Sequence, residues 1–223
     1  MPVTSNIGYS QYTALKHKGL RDILRWHNKK RDDYLYIDTN AGCGKYNGHT
    51  GSPLIFLEEC KGKALFIEKD YFNWYKLKNI VLHEKNVTVV CGDNSKVIKE
   101  RFDISTKQYG LCFIDHNGIP PFNLISFISK KLPNIDLLVN CPTTIIKRSR
   151  VVHKTKSLIE YIQMINKKYI YFKKPSKDKF KWTMLLCSNK KLHCKRLDFK
   201  SIYDRDFISL NYTKKELGGL ICV

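Results

Sequence analysis

Five short, almost uninterrupted apolar runs, each closing on or beside a polar residue, constrain this chain more than any other feature. They are Tyr34–Asp38, Ala64–Glu68, Val87–Cys91, Leu111–Asp115 and Leu137–Asn140, separated by helix-compatible stretches. Runs of this length without polar alternation predict parallel strands covered on both faces. The polar ends are Asp38, Glu68, Asp93 just beyond its strand, Asp115 and Asn140. In open α/β sheets ligands bind outside the carboxyl ends of the strands, so these ends predict one edge of one sheet and a candidate site there. The fold expected is a doubly wound, mostly parallel α/β sheet flanked by helices. Tyr169–Phe172 and Met184–Cys187 supply two later strands, and Tyr12, Leu15, Leu20, Ile23 and Leu24 recur at helical spacing across residues 10–30.

At 223 residues the chain suits one domain, 1–223. Within it we distinguish an N-terminal helical segment (1–33), a site-bearing half (34–146) and a basic C-terminal half (147–223) with the last strands. Hydrophobic residues make up 43% and aromatics 12%, which excludes disorder as a global description. No apolar run approaches the roughly 20 residues that span a bilayer. Residues Met1 to Asn6 lack the apolar stretch of a signal peptide, so a cytoplasmic location is expected. The cysteines (43, 60, 91, 112, 141, 187, 194 and 222) form no C-x-x-C pair and read as reduced thiols, with Cys91, Cys112 and Cys187 acting as small hydrophobes within strands. Cys187, His193 and Cys194 lie close in sequence, but a fourth ligand at zinc-finger spacing is missing, and no metal site is expected.

The net charge is +20, and it is unevenly placed. Residues 1–146 carry 20 basic and 14 acidic side chains, whereas residues 147–223 carry 20 and 6. Positive charge concentrated in this way favours a polyanionic partner, nucleic acid first. Lysine outnumbers arginine 32 to 8, so part of the excess is compositional.

The first apolar run enters Asp38-Thr39-Asn40-Ala41-Gly42-Cys43-Gly44-Lys45. A tight glycine turn directly after a buried strand lets the backbone approach a ligand closely. Glu68 ends the second strand, where a carboxylate accepts both hydroxyls of a ribose. Asp93 and Asn94 follow the third, within reach of an adenine amino group. Each acid alone would serve as a helix cap or a surface turn; the three in order point to a nucleoside site.

The run Asp38-x-x-Ala41-Gly42-x-Gly44, then Glu68, Gly92-Asp93 and Asp115, resembles class I S-adenosylmethionine-dependent methyltransferases. With Leu15-Lys16-His17, Tyr36-Ile37-Asp38, Gly51-Ser52-Pro53-Leu54, Phe66-Ile67-Glu68-Lys69-Asp70 and Phe113-Ile114-Asp115 added, residues 12–150 look like the three-Cys-motif partner (TcmP-like) family. The resemblance implies a Rossmann-like seven-strand sheet and S-adenosyl-L-methionine as cofactor. It also implies a cofactor site made of Lys16, His17, Asp38, Asn40, Ala41, Gly42, Gly44, Ser52, Pro53, Glu68, Lys69, Asp93, Asn94 and Asp115. Gly42 and Gly44 would pass beneath the methionine moiety, with Asp38 near its ammonium. Glu68 would hold the ribose, Asp93 and Asn94 the adenine, and Asp115 the acceptor side.

Relatives continue from the fourth-strand Asp with Pro, whereas this chain reads Asp115-His116-Asn117-Gly118. Amine methylation commonly relies on that proline-containing run, so its loss bears on which atom is methylated. His116 is a candidate general base, as histidines often are, or a turn-capping residue. Asn140-Cys141-Pro142-Thr143-Thr144 resembles the nucleophile segment of RNA uracil-5-methyltransferases. Those enzymes add a thiolate to the ring and need a later basic Glu. Only Glu160 and Glu216 follow here, neither in a matching context, so Cys141 is read either as a nucleophile or as a buried thiol. The acceptor-side candidates are thus Asp115, His116, Asn117, Asn140 and Cys141.

Lys147, Arg148 and Arg150 follow the fifth strand and are candidates for phosphate contacts. Lys173, Lys174, Lys177, Lys179 and Lys181 interleave with aromatics near Trp182, a pattern suited to nucleic acid or to an exposed hairpin between two core strands. The reading is a methyltransferase acting on DNA or RNA. The alternatives are a noncatalytic cofactor- and nucleic-acid-binding module, a pyrimidine carbon-5 enzyme using Cys141, and a small-molecule methyltransferase.

Overall fold

The computed structural model describes residues 11–28, 33–100, 104–173, 182–192, 197–204 and 207. The chain opens with α1 (Gln11–Asn28) and β1 (Tyr34–Asp38), followed by the hairpin β2 (Lys45–Tyr46) and β3 (His49–Thr50). Next come α2 (Ser52–Glu59), β4 (Lys63–Glu68), α3 (Tyr71–Ile80), β5 (Val87–Cys91), α4 (Asn94–Glu100) and β6 (Tyr109–Ile114). Then follow α5 (Phe122–Lys131), β7 (Ile135–Cys141), α6 (Thr143–His153), α7 (Leu158–Ile162), β8 (Tyr169–Lys173), β9 (Thr183–Ser188) and β10 (Phe199–Ser201).

The large sheet has eight strands in the order β10-β8-β9-β7-β6-β1-β4-β5. β1, β4, β5, β6 and β7 run parallel, as their apolar sequences predict. β9 is antiparallel to both β7 and β8, and β10 to β8. The strand count exceeds the seven expected because Phe199-Lys200-Ser201, with a single apolar residue, pairs on the edge of β8. β1 lies between β4 and β6, where the chain order reverses, so the switch-point crevice opens at the ends of these strands.

Alternation along β1 sends Tyr34 and Tyr36 to one face and Ile37 to the other. On the tyrosine face, Leu20, Ile23 and Leu24 of α1, Phe56 of α2 and Leu77 of α3 pack with Phe66 and Phe113. On the opposite face, Ile98 of α4, Ile128 of α5, Ile146 of α6 and Ile162 of α7 pack with Ile67 and Ile114. β5 departs from full burial: Thr88 and Cys91 are exposed, because β5 is an edge strand with β4 as its neighbour. Cys91 is therefore no core residue, in contrast to the sequence reading, whereas Cys60, Cys112, Cys141 and Cys187 are buried free thiols. His193, Cys194 and Cys222 lie outside the described residues. Among the described residues no helix is long and apolar enough to cross a membrane.

Helix α1 is held over the sheet by packing and by charge. A Cβ at Gly19 would stand 2.9 Å from Met184 Sδ, so the glycine lets the helix approach β9. Arg21 donates to Glu58 at 2.6 Å and to Glu59 at 2.9 Å, and Arg25 grips Glu59 through two nitrogens at 2.6 and 2.7 Å. These contacts fix α1 to α2 and aim its first half at the carboxyl edge of the sheet.

Strand β6 reaches β1 through Gly110, which pairs with Leu35. A Cβ at Gly110 would sit 1.8 Å from the Leu35 carbonyl oxygen, too close for the two strands to stay paired. Gly110→Ala is expected to destabilise the protein by about 3 kcal/mol in urea denaturation, with the loss centred on the β1–β6 pair that forms the crevice.

Candidate functional site

The loop leaving β1 is stitched to both neighbouring strands. Thr39 N–H donates to Phe113 O of β6 at 3.1 Å, and Ala41 N–H donates to Ile67 O of β4 at 3.0 Å. The chain then turns at Gly42, whose φ of +64° favours glycine, and its N–H donates to Glu68 Oε2 at 2.7 Å. Glu68 Oε1 accepts from Asp70 N–H at 2.8 Å. The carboxylate is thus fixed from two sides, and with roughly four acceptor positions on two oxygens it keeps lone pairs for further donors.

The two glycines of the turn have different reasons to be glycine. A Cβ at Gly42 would meet nothing within 4 Å, so open space lies over the turn. At Gly44, with φ of +78°, a Cβ would fall 2.8 Å from Leu77 Cδ1, which makes it a packing glycine. Gly51 N–H donates to Gly44 O at 2.7 Å and closes the loop that carries the β2–β3 hairpin.

Asp38 is fully buried. It accepts from Asn40 N–H at 3.1 Å and Tyr36 Oη–H at 3.2 Å, and it is hydrogen-bonded to the Ser52 side chain. Burial pushes its carboxyl up to about 7, with the Asp115 charge adding, while the hydrogen bonds from Ser52, Asn40 and Tyr36 oppose the rise. Pro53 is buried beside Ser52 in the first turn of α2. Beyond β5, Asp93 Oδ1 accepts from Ser95 N–H at 3.0 Å and Lys96 N–H at 3.3 Å, the geometry of a helix cap at the start of α4. Asn94 Nδ2 donates to Thr39 O at 3.3 Å and ties this loop to the β1 loop. Lys69 is exposed.

Across the crevice Asp115 follows β6, with both carboxylate oxygens engaged. Lys16 Nζ of α1 pairs with Oδ2 at 2.6 Å, and Asn140 Nδ2 of β7 donates to Oδ1 at 2.7 Å. Among the described residues Asn140 Oδ1 and His116 Nδ1 are buried without a hydrogen-bond partner. Asn140 Oδ1, an acceptor on the side chain that holds Asp115, is a place where a donor from outside the chain fits, and His116 Nδ1 serves as donor or acceptor by tautomer. His17 is half-buried. Loss of solvent lowers it to about 4, helped by Lys16 and Arg21 and opposed by Asp115, so it is neutral near pH 7. It lines a cleft of about 420 Å³ between α1 and the β2–β3 hairpin. Asn117 is exposed, and Gly118 turns the chain at φ +103°.

Cys141 requires a correction. Its side chain is fully buried in the core, where burial holds the thiol well above its ordinary range and the neighbouring Cys187 adds to the rise. A thiol in that position has neither solvent access nor thiolate character, so it is structural. Arg148 and Arg150 are exposed and Lys147 half-buried on α6, directly after the end of β7. Lys173, at the end of β8, lies over the Phe199 ring at 5.8 Å. Lys174, Lys177, Lys179 and Lys181 lie outside the described residues.

The structure therefore brings together Asp38, Asn40, Ala41, Gly42, Ser52 and Glu68 on one side of the switch point, and Lys16, Asp115 and Asn140 on the other. Sequence reasoning missed Thr39, whose N–H and O tie β1 to β6 and to α4, and the pairing of Lys16 with Asp115. Gly42→Ala is expected to cost about 1–2 kcal/mol from left-handed strain alone. Gly44→Ala, with its added clash on Leu77, is expected to cost clearly more in the same denaturant titration.

No family model matches the chain, and no curated protein matches it in sequence. Solved structures do match in fold. Protein LPL1258 of Legionella pneumophila str. Philadelphia 1 superposes with a TM-score of 0.58 at 13% identity, over 83% of this chain and 88% of that one. A putative methyltransferase from Thermobifida fusca YX gives 0.56 at 9% identity, over 81% and 82%. An rRNA methylase from Streptococcus thermophilus gives 0.50 at 10% identity, over 82% and 99%. With a parallel sheet reversing at β1 and one antiparallel strand inserted beside β7, the chain has the Rossmann-like class I methyltransferase fold.

Proposed function

We propose that this chain is an S-adenosyl-L-methionine-dependent methyltransferase acting on nucleic acid. The observation that carries the reading is the pairing of an open glycine turn with a fixed acid, Gly42 N–H on Glu68, at the switch point of a methyltransferase fold. The residues fit the cofactor. Space lies over Gly42 and Glu68 keeps acceptor capacity for ribose hydroxyls, whereas Asp38, fully buried, supports the turn through Asn40 N–H rather than meeting the methionine ammonium directly. In this reading Asn94, which bridges the β5 and β1 loops, borders the adenine, with Asp93 capping α4 beside it. Within the superfamily, the motif run from Leu15 to Asp115 resembles the TcmP-like proteins.

When bound, the cofactor supplies an electrophilic methyl group. The chain's part is to hold an acceptor atom in line with it, and such alignment accounts for much of the rate in displacements of this kind. Asp115 and the orphaned Oδ1 of Asn140 accept hydrogen bonds from the acceptor group and orient its lone pair. In this reading His116, whose Nδ1 is also orphaned, takes up the proton released. The Lys16–Asp115 ion pair favours a second reading, a noncatalytic binding module, because it engages the carboxylate on the acceptor side. Support for nucleic acid comes from the charge of +20, from Lys147, Arg148 and Arg150 on the helix that leaves the β7 end, and from the fold shared with an rRNA methylase.

Calorimetry is expected to show S-adenosylmethionine binding, weakened about tenfold or more by Glu68→Gln; no binding by the intact protein would overturn the reading. Transfer of radiolabelled methyl groups to a mixed DNA and RNA pool, lost in Asp115→Ala, separates the enzyme from the noncatalytic module. The stability has a signed pH dependence. Burial raises the Asp38 carboxyl from its ordinary range to about 7 in the folded protein, so between about pH 4 and 7 the folded state holds a proton that the unfolded chain has released. Stability should therefore fall as pH rises through that window and level off above about 7 in urea denaturation, and Asp38→Asn should flatten the profile.

A further inference from the structure

Helix α3 carries an aromatic surface that the cofactor site does not use. Among the described residues eleven large hydrophobic side chains are exposed, and five of them fall between residues 71 and 82: Tyr71, Phe72, Tyr75, Ile80 and Leu82. Tyr71, Phe72 and Tyr75 are 59%, 73% and 53% exposed, respectively, whereas a helix serving only the core would turn its rings inward. The rings are already organised. Tyr71 and Tyr75, one helical turn apart, stack at 6.4 Å with 18° between their planes, and Phe72 meets Tyr71 edge-on at 6.0 Å. Trp74, half-buried behind them, donates its indole N–H to Val89 O at 3.4 Å and so fixes the cluster to the sheet.

The charge on the helix itself is positive. Lys69, Lys76 and Lys78 are exposed, α3 contains no acidic residue, and Lys78 lies over the Trp74 ring at 5.0 Å. The two acids at the helix start are tied to backbone amides: Asp70 accepts from Asn73 N–H as the cap, and Glu68 accepts from Gly42 N–H and Asp70 N–H. A protein partner would be served by rings alone. Exposed rings that alternate with lysines match a chain of flat bases joined by phosphates, in which bases stack on aromatics and phosphates meet ammonium groups. The face also has a functional address, since Tyr71 stands three residues after Glu68 and begins at the carboxyl edge of the sheet.

We infer that the α3 face, built on Tyr71, Phe72 and Tyr75 with Lys69 and Lys76, binds a single-stranded nucleic acid and guides it along the edge that carries the candidate site. The inference rests on the nucleic-acid part of the proposed function and adds where the strand lies, on the face of the sheet opposite α6. It assigns recognition to stacking, which tolerates sequence and requires unpaired bases.

The test is fluorescence anisotropy with labelled mixed-sequence single-stranded RNA, single-stranded DNA and duplex DNA. Tyr71→Ala/Phe72→Ala is expected to weaken single-strand binding about tenfold, with S-adenosylmethionine affinity and the melting temperature unchanged. Phe72→Trp should keep the affinity. Lys69→Ala/Lys76→Ala should lower the log–log salt slope by about 1.4, the release expected from two single-strand phosphates. Undiminished binding by Tyr71→Ala/Phe72→Ala would overturn the inference and leave the nucleic-acid reading standing, whereas no binding of any strand by the wild type would remove both. Equal affinity for duplex would rule out stacking. Cofactor binding lost with the rings would assign them to the cofactor site. A dimer dispersed by the same variant would make the face a self-association surface.

Discussion

The hydrogen bond from Gly42 N–H to Glu68 is the constraint around which the site is organised. It joins a loop at the end of β1 to a carboxylate at the end of β4, parallel neighbours linked by the α2 crossover. A left-handed residue must stand at position 42 for the amide to face the acid, and the adjacent β6 and β4 carbonyls hold the approach through Thr39 and Ala41. The glycine meets the left-handed requirement without a side-chain clash, and both Glu68 oxygens accept from backbone amides. The acid is fixed before any ligand arrives. Preorganisation of this kind reduces the entropy lost on binding, because the carboxylate has no rotamer left to search.

The acceptor side obeys a different logic. Asp115 is held by a lysine from α1 and an asparagine from β7, elements far apart in sequence and brought together by the clamp of Arg21 and Arg25 on α2. Engagement by Lys16 keeps a largely buried carboxylate neutralised, and the two orphaned positions on Asn140 and His116 leave the surrounding wall incompletely satisfied. One half of the crevice is therefore complete without a ligand and the other is not. That asymmetry suits a tightly held cofactor facing an acceptor that comes and goes.

Most of the frame was legible from the sequence because parallel strands buried on two faces write themselves as continuous apolar runs. Tyr34–Asp38 and Val87–Cys91 match β1 and β5, and the polar ends fall along one edge. Illegible features have physical reasons. Two- and three-residue strands such as β2, β3 and β10 are too short to show a period. The exposure of Cys91 depends on β5 being an edge strand, which follows from sheet order and not from the run itself. Cys141 sits in a motif-like segment, yet β7 is buried along its whole length, and burial decides its chemistry. The Lys16–Asp115 pair spans 99 positions and has no local signature. The rings of α3 resemble a core helix on paper, and only the placement of Leu77 shows that the opposite side faces solvent.

A crystal structure of the protein grown with S-adenosylhomocysteine tests the central claim most directly. The account predicts the ribose hydroxyls within hydrogen-bonding distance of Glu68, the amino-acid moiety over Gly42, and the sulfur facing Asp115. A nucleoside bound elsewhere, with Glu68 contacting only the Gly42 and Asp70 amides, would contradict it.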